Sequence, residues 1–502
     1  MALKISRHVV QIFCACLWCL LASGIIFGFA ALKPVLIQEG VYSELCQTEY
    51  TGVNDEPCVE QDMKLNSMFT ISSALTNMMA LIVGWILDHK GPRVCGIIGA
   101  IILSIGSLMF VKASELITYV DAYLIGYIAL AIGGPFVFIS CFQLANCFPK
   151  RSGTILALLT GSFDSSSALF LVYRILYKKS GNTFSLSRFF TLYLSVPIFI
   201  LACQLTIMPQ DSYKTIGTVV KLGVEELDEN GNEIEENMED NRQTPQTDIT
   251  QVDEEQPLLR RRKSALEIAT ETRLKENTGG IFGILHDNTA TEQIKSPWFY
   301  LMLAFAAIIM VRINYFIATI RSQEEYLLGN KEESILLNHI FDTLLPIGGI
   351  CAVPFIGMIL DHIKTIAVIN ILCTTSVAVG LFGILPKSFW GNFVGIVIFV
   401  LYRPFYYTVV SDYCSKVFGF TTFGTVYGLL TCLCGVFSLT QNLLDEWTHG
   451  YFDMNPIPVN ILVTLLTLIA GVSLEKYVKF QLKLRENHLV DSAELVTDEN
   501  NA

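Results

Sequence analysis

Gly84-Trp-Ile-Leu-Asp88-His-Lys90-Gly91-Pro-Arg93 lies between two long apolar runs, and Gly357-Met-Ile-Leu-Asp361-His362-Ile-Lys364 lies between two others. Each joins one run to the next by a very short polar loop. The glycine lets two helices approach closely, the aspartate stands at a helix end, and basic residues face a membrane surface. A single copy would be a loop. Two copies, at matching places in two parts of the chain, describe a duplicated bundle of membrane helices. The second copy lacks the closing glycine and the arginine, so a weaker version of the same contact is expected there.

Composition agrees. The 502 residues are 52% hydrophobic and 16% charged, against roughly 25% charged in soluble domains, so lipid is the expected solvent. A spanning helix takes about 20 mostly apolar residues. Twelve such runs are placed at Val9–Ala31, Met68–Leu87, Val94–Val111, Tyr123–Cys147, Gly153–Tyr173, Phe189–Met208, Trp298–Ile320, Ile340–Leu360, Thr365–Leu385, Asn392–Asp412, Phe423–Asn442 and Pro456–Val478. A signal-peptide core is about 7–15 residues. The first run is longer and follows Lys4 and Arg7, so it reads as a span; the alternative is cleavage near Ala22-Ser-Gly24.

The runs group as six, a polar segment from Pro209 to about Lys295, and six more. A second parallel links Phe148-Pro-Lys-Arg-Ser-Gly153 after the fourth run with Phe418-Gly-Phe-Thr-Thr-Phe-Gly424 after the tenth. Six-helix halves related by an axis along the membrane normal are the arrangement of the major facilitator fold. The expected fold is therefore an all-α membrane protein of twelve transmembrane helices in two six-helix halves, with a disordered cytosolic central loop. The expected units are residues 1–208, the central loop 209–295, residues 296–480 and a cytosolic tail 481–502.

Basic residues mark cytosolic loops. Lys90, Arg93, Lys150 and Arg151 favour a cytosolic position for both motifs, although Lys178 and Lys179 lie on the opposite side. Glu44, Glu49, Asp55 and Glu56 after the first run, and Glu324, Glu325, Glu332 and Glu333 before the eighth, make acidic loops that then face the outside or a lumen. The formal charge of −12 owes much to Glu225–Asp240, a solvated linker by composition. It does not indicate an acidic substrate, and no basic, aromatic-interleaved surface suggests nucleic acid. In the central segment, Glu254 precedes Leu258-Leu259 by the spacing of a dileucine signal read by cytosolic coat adaptors, a receptor-read address. It implies a vacuolar or lysosome-like membrane, with the plasma membrane as the alternative. The adjacent Arg260-Arg-Arg-Lys263 has the chemistry to touch anionic lipid.

Most of the 14 cysteines lie in apolar runs as small fillers. Cys46 and Cys58 lie in the first polar loop, where an oxidising compartment would favour a disulfide between them; the alternative is two free thiols. Asp228-Glu-Asn-Gly231 begins like a calcium loop, but the twelfth position is Asn237 where a bidentate glutamate is needed, so no metal site is expected, and no cofactor.

Ionisable groups inside spans mark a pathway or a paired structural site. Asp164 is half-way along the fifth run and Arg403 half-way along the tenth. In the facilitator arrangement these runs border one another across the halves, so an Asp164–Arg403 pair near mid-membrane is expected. Arg312 and Asp342 are expected as partners within the second half, Asp342 in a structural role. Tyr315 extends a polar patch around Arg312, and Tyr407 with Tyr402 offers an aromatic wall. Gly24 and Gly28 have the four-residue spacing of close helix packing. Gly84, Asp88, Gly91, Arg93 and Asp361 read as a gate, with Asp88 capping a neighbouring helix while pairing with Arg93.

Gly133-Gly-Pro-Phe136 through Gly153, Gly161-Ser-Phe-Asp164-Ser-Ser-Ser167, Val311-Arg-Ile-Asn-Tyr315 and Phe423-Gly-Thr-Val-Tyr-Gly428 resemble the L-type, sodium-independent amino-acid transporters of the major facilitator superfamily, solute carrier family forty-three, and most of all their fungal relatives. The resemblance covers nearly all twelve runs and fails across the central segment. It implies a secondary transporter of neutral, often branched-chain, amino acids. A cation (Arg312 or Arg403), an anion (Asp164) and an apolar wall would suit a zwitterion. The competing readings are proton-coupled transport of another small organic solute, with Asp164 titrating, and a nutrient sensor that binds solute without moving it. No nucleotide-binding loop or nucleophile constellation points to an enzyme.

Overall fold

The computed structural model describes residues 7–46, 59–148, 151–210, 278–286, 288–419 and 421–499. Cys58, Lys150, Glu254, Leu258 and Leu259 lie outside these residues. Among the described residues, ten helices are long and apolar enough to cross a membrane, and a bent pair, Arg7–Ser23 with Ile25–Gln38, makes an eleventh. One of the ten, Lys64–Val111, is two passages. A straight helix of 48 residues would be about 70 Å long, more than twice a bilayer core of about 30 Å. It folds back at Gly91 (φ 80°), just before Pro92, and Cys95 Sγ comes within 4.0 Å of the Val83 carbonyl. A left-handed φ suits glycine, and proline cannot donate the next helical hydrogen bond.

Counted this way, span 1 is Arg7–Gln38, and spans 2 and 3 are the two arms of Lys64–Val111. Span 4 is Ala122–Cys147, span 5 Ser152–Lys179, span 6 Leu186–Thr206 and span 7 Pro297–Leu328. Span 8 is Thr343–His362, span 9 Thr365–Phe382, span 10 Phe389–Phe418, span 11 Phe423–Glu446 and span 12 Ile457–Arg485. Outward-facing apolar residues such as Ile198, Phe355, Met358 and Ile469 are exposed, as a lipid-facing surface requires.

The halves meet along two helix pairs. Span 2 packs on span 11, and a Cβ on Gly84 would fall 1.8 Å from the Gly424 carbonyl oxygen. Span 8 packs on span 5, and a Cβ on Gly161 would fall 2.7 Å from the Gly349 carbonyl oxygen. Glycine is the residue that permits such backbone approach.

Two loop expectations change. Glu324 and Glu325 are not in a loop: the span 7 helix runs on to Leu328 and ends at left-handed Gly329. Glu332 and Glu333 form the first turn of Lys331–His362, which Asn330 caps by accepting from Glu332 N–H. Hydropathy marks where lipid ends, and a helix stops where its caps stop it. Cys46 is disulfide-bonded, and its expected partner Cys58 is outside the described residues.

The stretch entering span 7 is tied down. Gly283 N–H donates to the Lys416 carbonyl and Leu285 N–H to the Val417 carbonyl, both at 3.1 Å. Buried Gln293 donates to the Phe418 carbonyl and accepts from the Thr422 hydroxyl.

Candidate substrate site and gate

Span 1 is broken near the middle of its length. A π turn over Cys19–Ser23 gives way at Gly24 to a 3-10 turn over Ile25–Gly28, with a bend of 48°. A broken helix frees carbonyls that lipid cannot satisfy. Tyr127 Oη donates to the Ile26 carbonyl at 2.6 Å, and Tyr193 Oη to the Leu21 carbonyl at 3.0 Å. Gly24 lies against the Phe163 carbonyl and the Ser166 hydroxyl of span 5, and Gly28 against the Ser167 carbonyl. Span 5 is interrupted there too: one helix ends at Ser165 and the next begins at Ala168.

Asp164 is the last residue but one before that interruption. Arg403 Nη2 reaches it from span 10, 3.7 Å from Oδ1, and both side chains are buried. The guanidinium stands 5.9 Å from the ring centroids of both Phe27 and Tyr407. Phe163 stacks on Phe138 at 4.5 Å and meets Phe27 edge-on at 5.9 Å. An ion pair thus joins the two halves beside an aromatic wall. Neither oxygen of Asp164 and not Nε of Arg403 makes a hydrogen bond. Buried polar atoms are ordinarily satisfied, so the pair holds hydrogen-bonding capacity in reserve for a third group.

Below this pair the halves close at the end that carries the repeated motifs. Phe142 of span 4 meets Phe423 and Tyr427 of span 11 edge-on at 5.8 and 5.4 Å. Asp88 accepts from Gly424 N–H at 2.9 Å and Thr425 N–H at 2.6 Å, capping span 11 in the other half. Asp361 accepts from the N–H groups of Gly153 and Thr154 and from the Thr154 hydroxyl, capping span 5. The two contacts are reciprocal, and a carboxylate at a helix N-terminus is favoured by about 0.3–1 kcal/mol. Arg93 does not pair with Asp88. Its Nε and Nη2 donate to the Met208 carbonyl at the end of span 6, at 3.1 and 2.6 Å. The Thr154 hydroxyl gives the second contact a side-chain bond in addition to its backbone ones.

Arg312 and Tyr315 are not part of the central constellation. Arg312 points between spans 9 and 12, where it donates to the Ser376 carbonyl and, at 2.8 Å, to Thr464 Oγ1. It forms no ion pair among the described residues, and the side chain of Asp342 lies outside them. Tyr315 Oη is 2.6 Å from Thr448 Oγ1 beyond span 11. The sequence reading missed Phe27, Tyr127, Tyr193 and Thr154, none of which carries charge. It also missed the Lys416–Asp412 pair at 2.6 Å, which sits beside the second contact, with Lys416 Nζ 3.4 Å from the Leu360 carbonyl. Its four-residue acid–base spacing was a usable signal.

Comparison with known proteins places this architecture. No protein-family model matches the chain. It is similar to Protein FMP42 of Saccharomyces cerevisiae, 58% identical over 488 residues covering 95% of this chain and 96% of the relative. It is 24% identical to the Equilibrative nucleobase transporter 1 of Bos taurus, covering 90% and 92% of the two chains. Identity to the human Large neutral amino acids transporter small subunit 3 is also 24%, covering 91% and 90%. Among solved structures, the proton:xylose symporter XylE superposes with a TM-score of 0.58 at 11% identity, covering 94% of this chain and 96% of that one. The human organic anion transporter MFSD10 gives 0.59 at 12%, covering 93% and 99%. The protein is a multi-pass membrane transporter of small solutes with the major facilitator fold. Within that superfamily the chain belongs to the L-type amino-acid transporter-like family, among its fungal relatives.

Proposed function

We propose that the chain moves neutral amino acids by alternating access, its two halves rocking about the Asp164–Arg403 site. The observation that carries this reading is the buried ion pair across the halves whose carboxylate oxygens and Nε are without hydrogen bonds. A zwitterion offers a carboxylate to Arg403 and an ammonium to Asp164, so each charge keeps a counter-ion while the pair opens. In the empty site the two residues neutralise one another, which avoids a stranded buried charge. An apolar substrate side chain has Phe27, Phe138 and Phe163 to rest against. The name of the human relative, a large neutral amino acids transporter, supports the same class.

Gly84, Asp88, Gly91, Arg93 and Asp361 act in this reading as the gate: the two reciprocal caps break each time the motif end opens. A cap contact worth about 0.3–1 kcal/mol suits a latch that must release in every cycle.

A second reading has its own support. The bovine relative is named a nucleobase transporter, and the stacked Phe138–Phe163 rings offer a flat base a face. Counterflow in proteoliposomes of the purified protein separates the readings. Labelled leucine or phenylalanine is expected to exchange against unlabelled amino acid and not against adenine. Exchange of adenine alone would replace the first reading by the second, and binding without exchange would make the protein a sensor. Proton coupling through Asp164 would appear as a pH-dependent uptake that Asp164→Asn abolishes.

A vacuolar or lysosome-like membrane is part of the proposal, resting on Glu254 and Leu258-Leu259 as an adaptor-read signal. Leu258→Ala with Leu259→Ala is expected to send the tagged protein to the plasma membrane while counterflow stays intact. Unchanged location would remove this element.

A further inference from the structure

Arg312 is a buried cation in the interior of the second half. It is 5% exposed, yet among the described residues no carboxylate pairs with it. Its bonds to the Ser376 carbonyl and the Thr464 hydroxyl leave N–H groups of a five-donor guanidinium over. A buried charge without a partner is costly, and its neutral hydrogen bonds do not supply the missing charge. Two other buried cations in the spans each have a carboxylate: Arg403 has Asp164, and Lys416 has Asp412.

Two further donors face the same place. The Tyr402 hydroxyl on span 10 lies beside Arg312 and the Ser376 hydroxyl. Tyr402 is 1% exposed and Ser376 0%; the two hydroxyls face one another, and neither has a hydrogen bond of 3.5 Å or less. Gly380, one turn beyond Ser376, keeps the wall low: a Cβ there would fall 2.8 Å from Arg312 Nη1. A guanidinium and two hydroxyls, brought by spans 7, 9 and 10, are the complement of a small anion.

We propose that Arg312, Ser376 and Tyr402, with Thr464 at the rim, form a site for a small monovalent inorganic anion, chloride in the first instance. It is separate from the Asp164–Arg403 pair. The anion neutralises Arg312, accepts from both hydroxyls and joins spans 7, 9 and 10 into one rigid unit.

The test is thermal unfolding of the purified full chain at constant sodium, with gluconate replaced stepwise by chloride. A ligand bound only by the native state raises the midpoint with the logarithm of its concentration over Kd. The wild-type midpoint is expected to rise with chloride, and Arg312→Gln to remove the rise. Tyr402→Phe and Ser376→Ala each delete one donor to the anion and are expected to raise the half-saturating chloride concentration about tenfold. If Arg312→Gln does not fold, these two milder variants decide the question. A wild-type midpoint equal in chloride and gluconate overturns the proposal. A chloride response unchanged in both Tyr402→Phe and Ser376→Ala overturns it as well. None of these measurements involves amino-acid exchange, so the anion site stands or falls independently of the proposed cargo.

Discussion

Asp164 and Arg403 are each other's counter-ion, and removing one strands the other. Arg403→Gln or Asp164→Asn is expected to lower stability by up to about 3–5 kcal/mol, the range for breaking a buried pair. The double variant is expected to recover most of that loss and still fail to exchange substrate. Thermal unfolding and counterflow on the three variants check this; exchange by the double variant would show that the charges only hold helices together. The two residues were legible in the sequence because a charge is conspicuous in an apolar run. The grouping of Arg312 and Tyr315 with them was not. Sequence gives the depth of a residue along a span but not its direction around it, and consecutive residues point about 100° apart. Tyr402 and Arg403 show the consequence: one turns toward Arg312, the other toward Asp164.

At the scale of elements, the break in span 1 is the least predictable feature and one with a clear energetic demand. No proline announces it, and Gly24 with Gly28 reads equally well as a packing face, which it also is. The Leu21 and Ile26 carbonyls at the break accept from tyrosines of two other spans, and Ile26 accepts from the Phe29 N–H as well. Tyr127→Phe removes one of two hydrogen bonds to the buried Ile26 carbonyl, at a cost of about 0.5–1.5 kcal/mol. The expected result is a lower unfolding midpoint together with weaker substrate binding, because Phe27 follows directly on Ile26 and faces Arg403. An unchanged midpoint would mean that the break is stable without that hydroxyl. Span existence was readable throughout from apolar run length. Span ends were not, as span 7 demonstrates by running on to Leu328 past the apolar stretch.

At the scale of the molecule, duplication was readable from the repeated loop, but the destination of each aspartate was not. Asp88 and Asp361 each cap a helix of the opposite half, a contact that no local pattern encodes. The conformation described is thus closed at the motif end. A Cβ on Gly357 would stand 3.2 Å from Thr154 Cβ across that seam, close to the roughly 3.5–4.5 Å of a disulfide. Oxidising a Thr154→Cys, Gly357→Cys variant is expected to halt exchange, and reduction to restore it, with wild type treated alike as the reference. Full exchange by the oxidised, crosslinked protein would show that spans 5 and 8 need not part.

The mooring of residues 283 and 285 on the end of span 10 has one more consequence. Any pull arriving from the connecting chain reaches the backbone at Lys416 and Val417 before it reaches span 7. Cargo grafted upstream of Thr278, a fluorescent protein for instance, would therefore drag on an anchored point and leave the seesaw of the two bundles free.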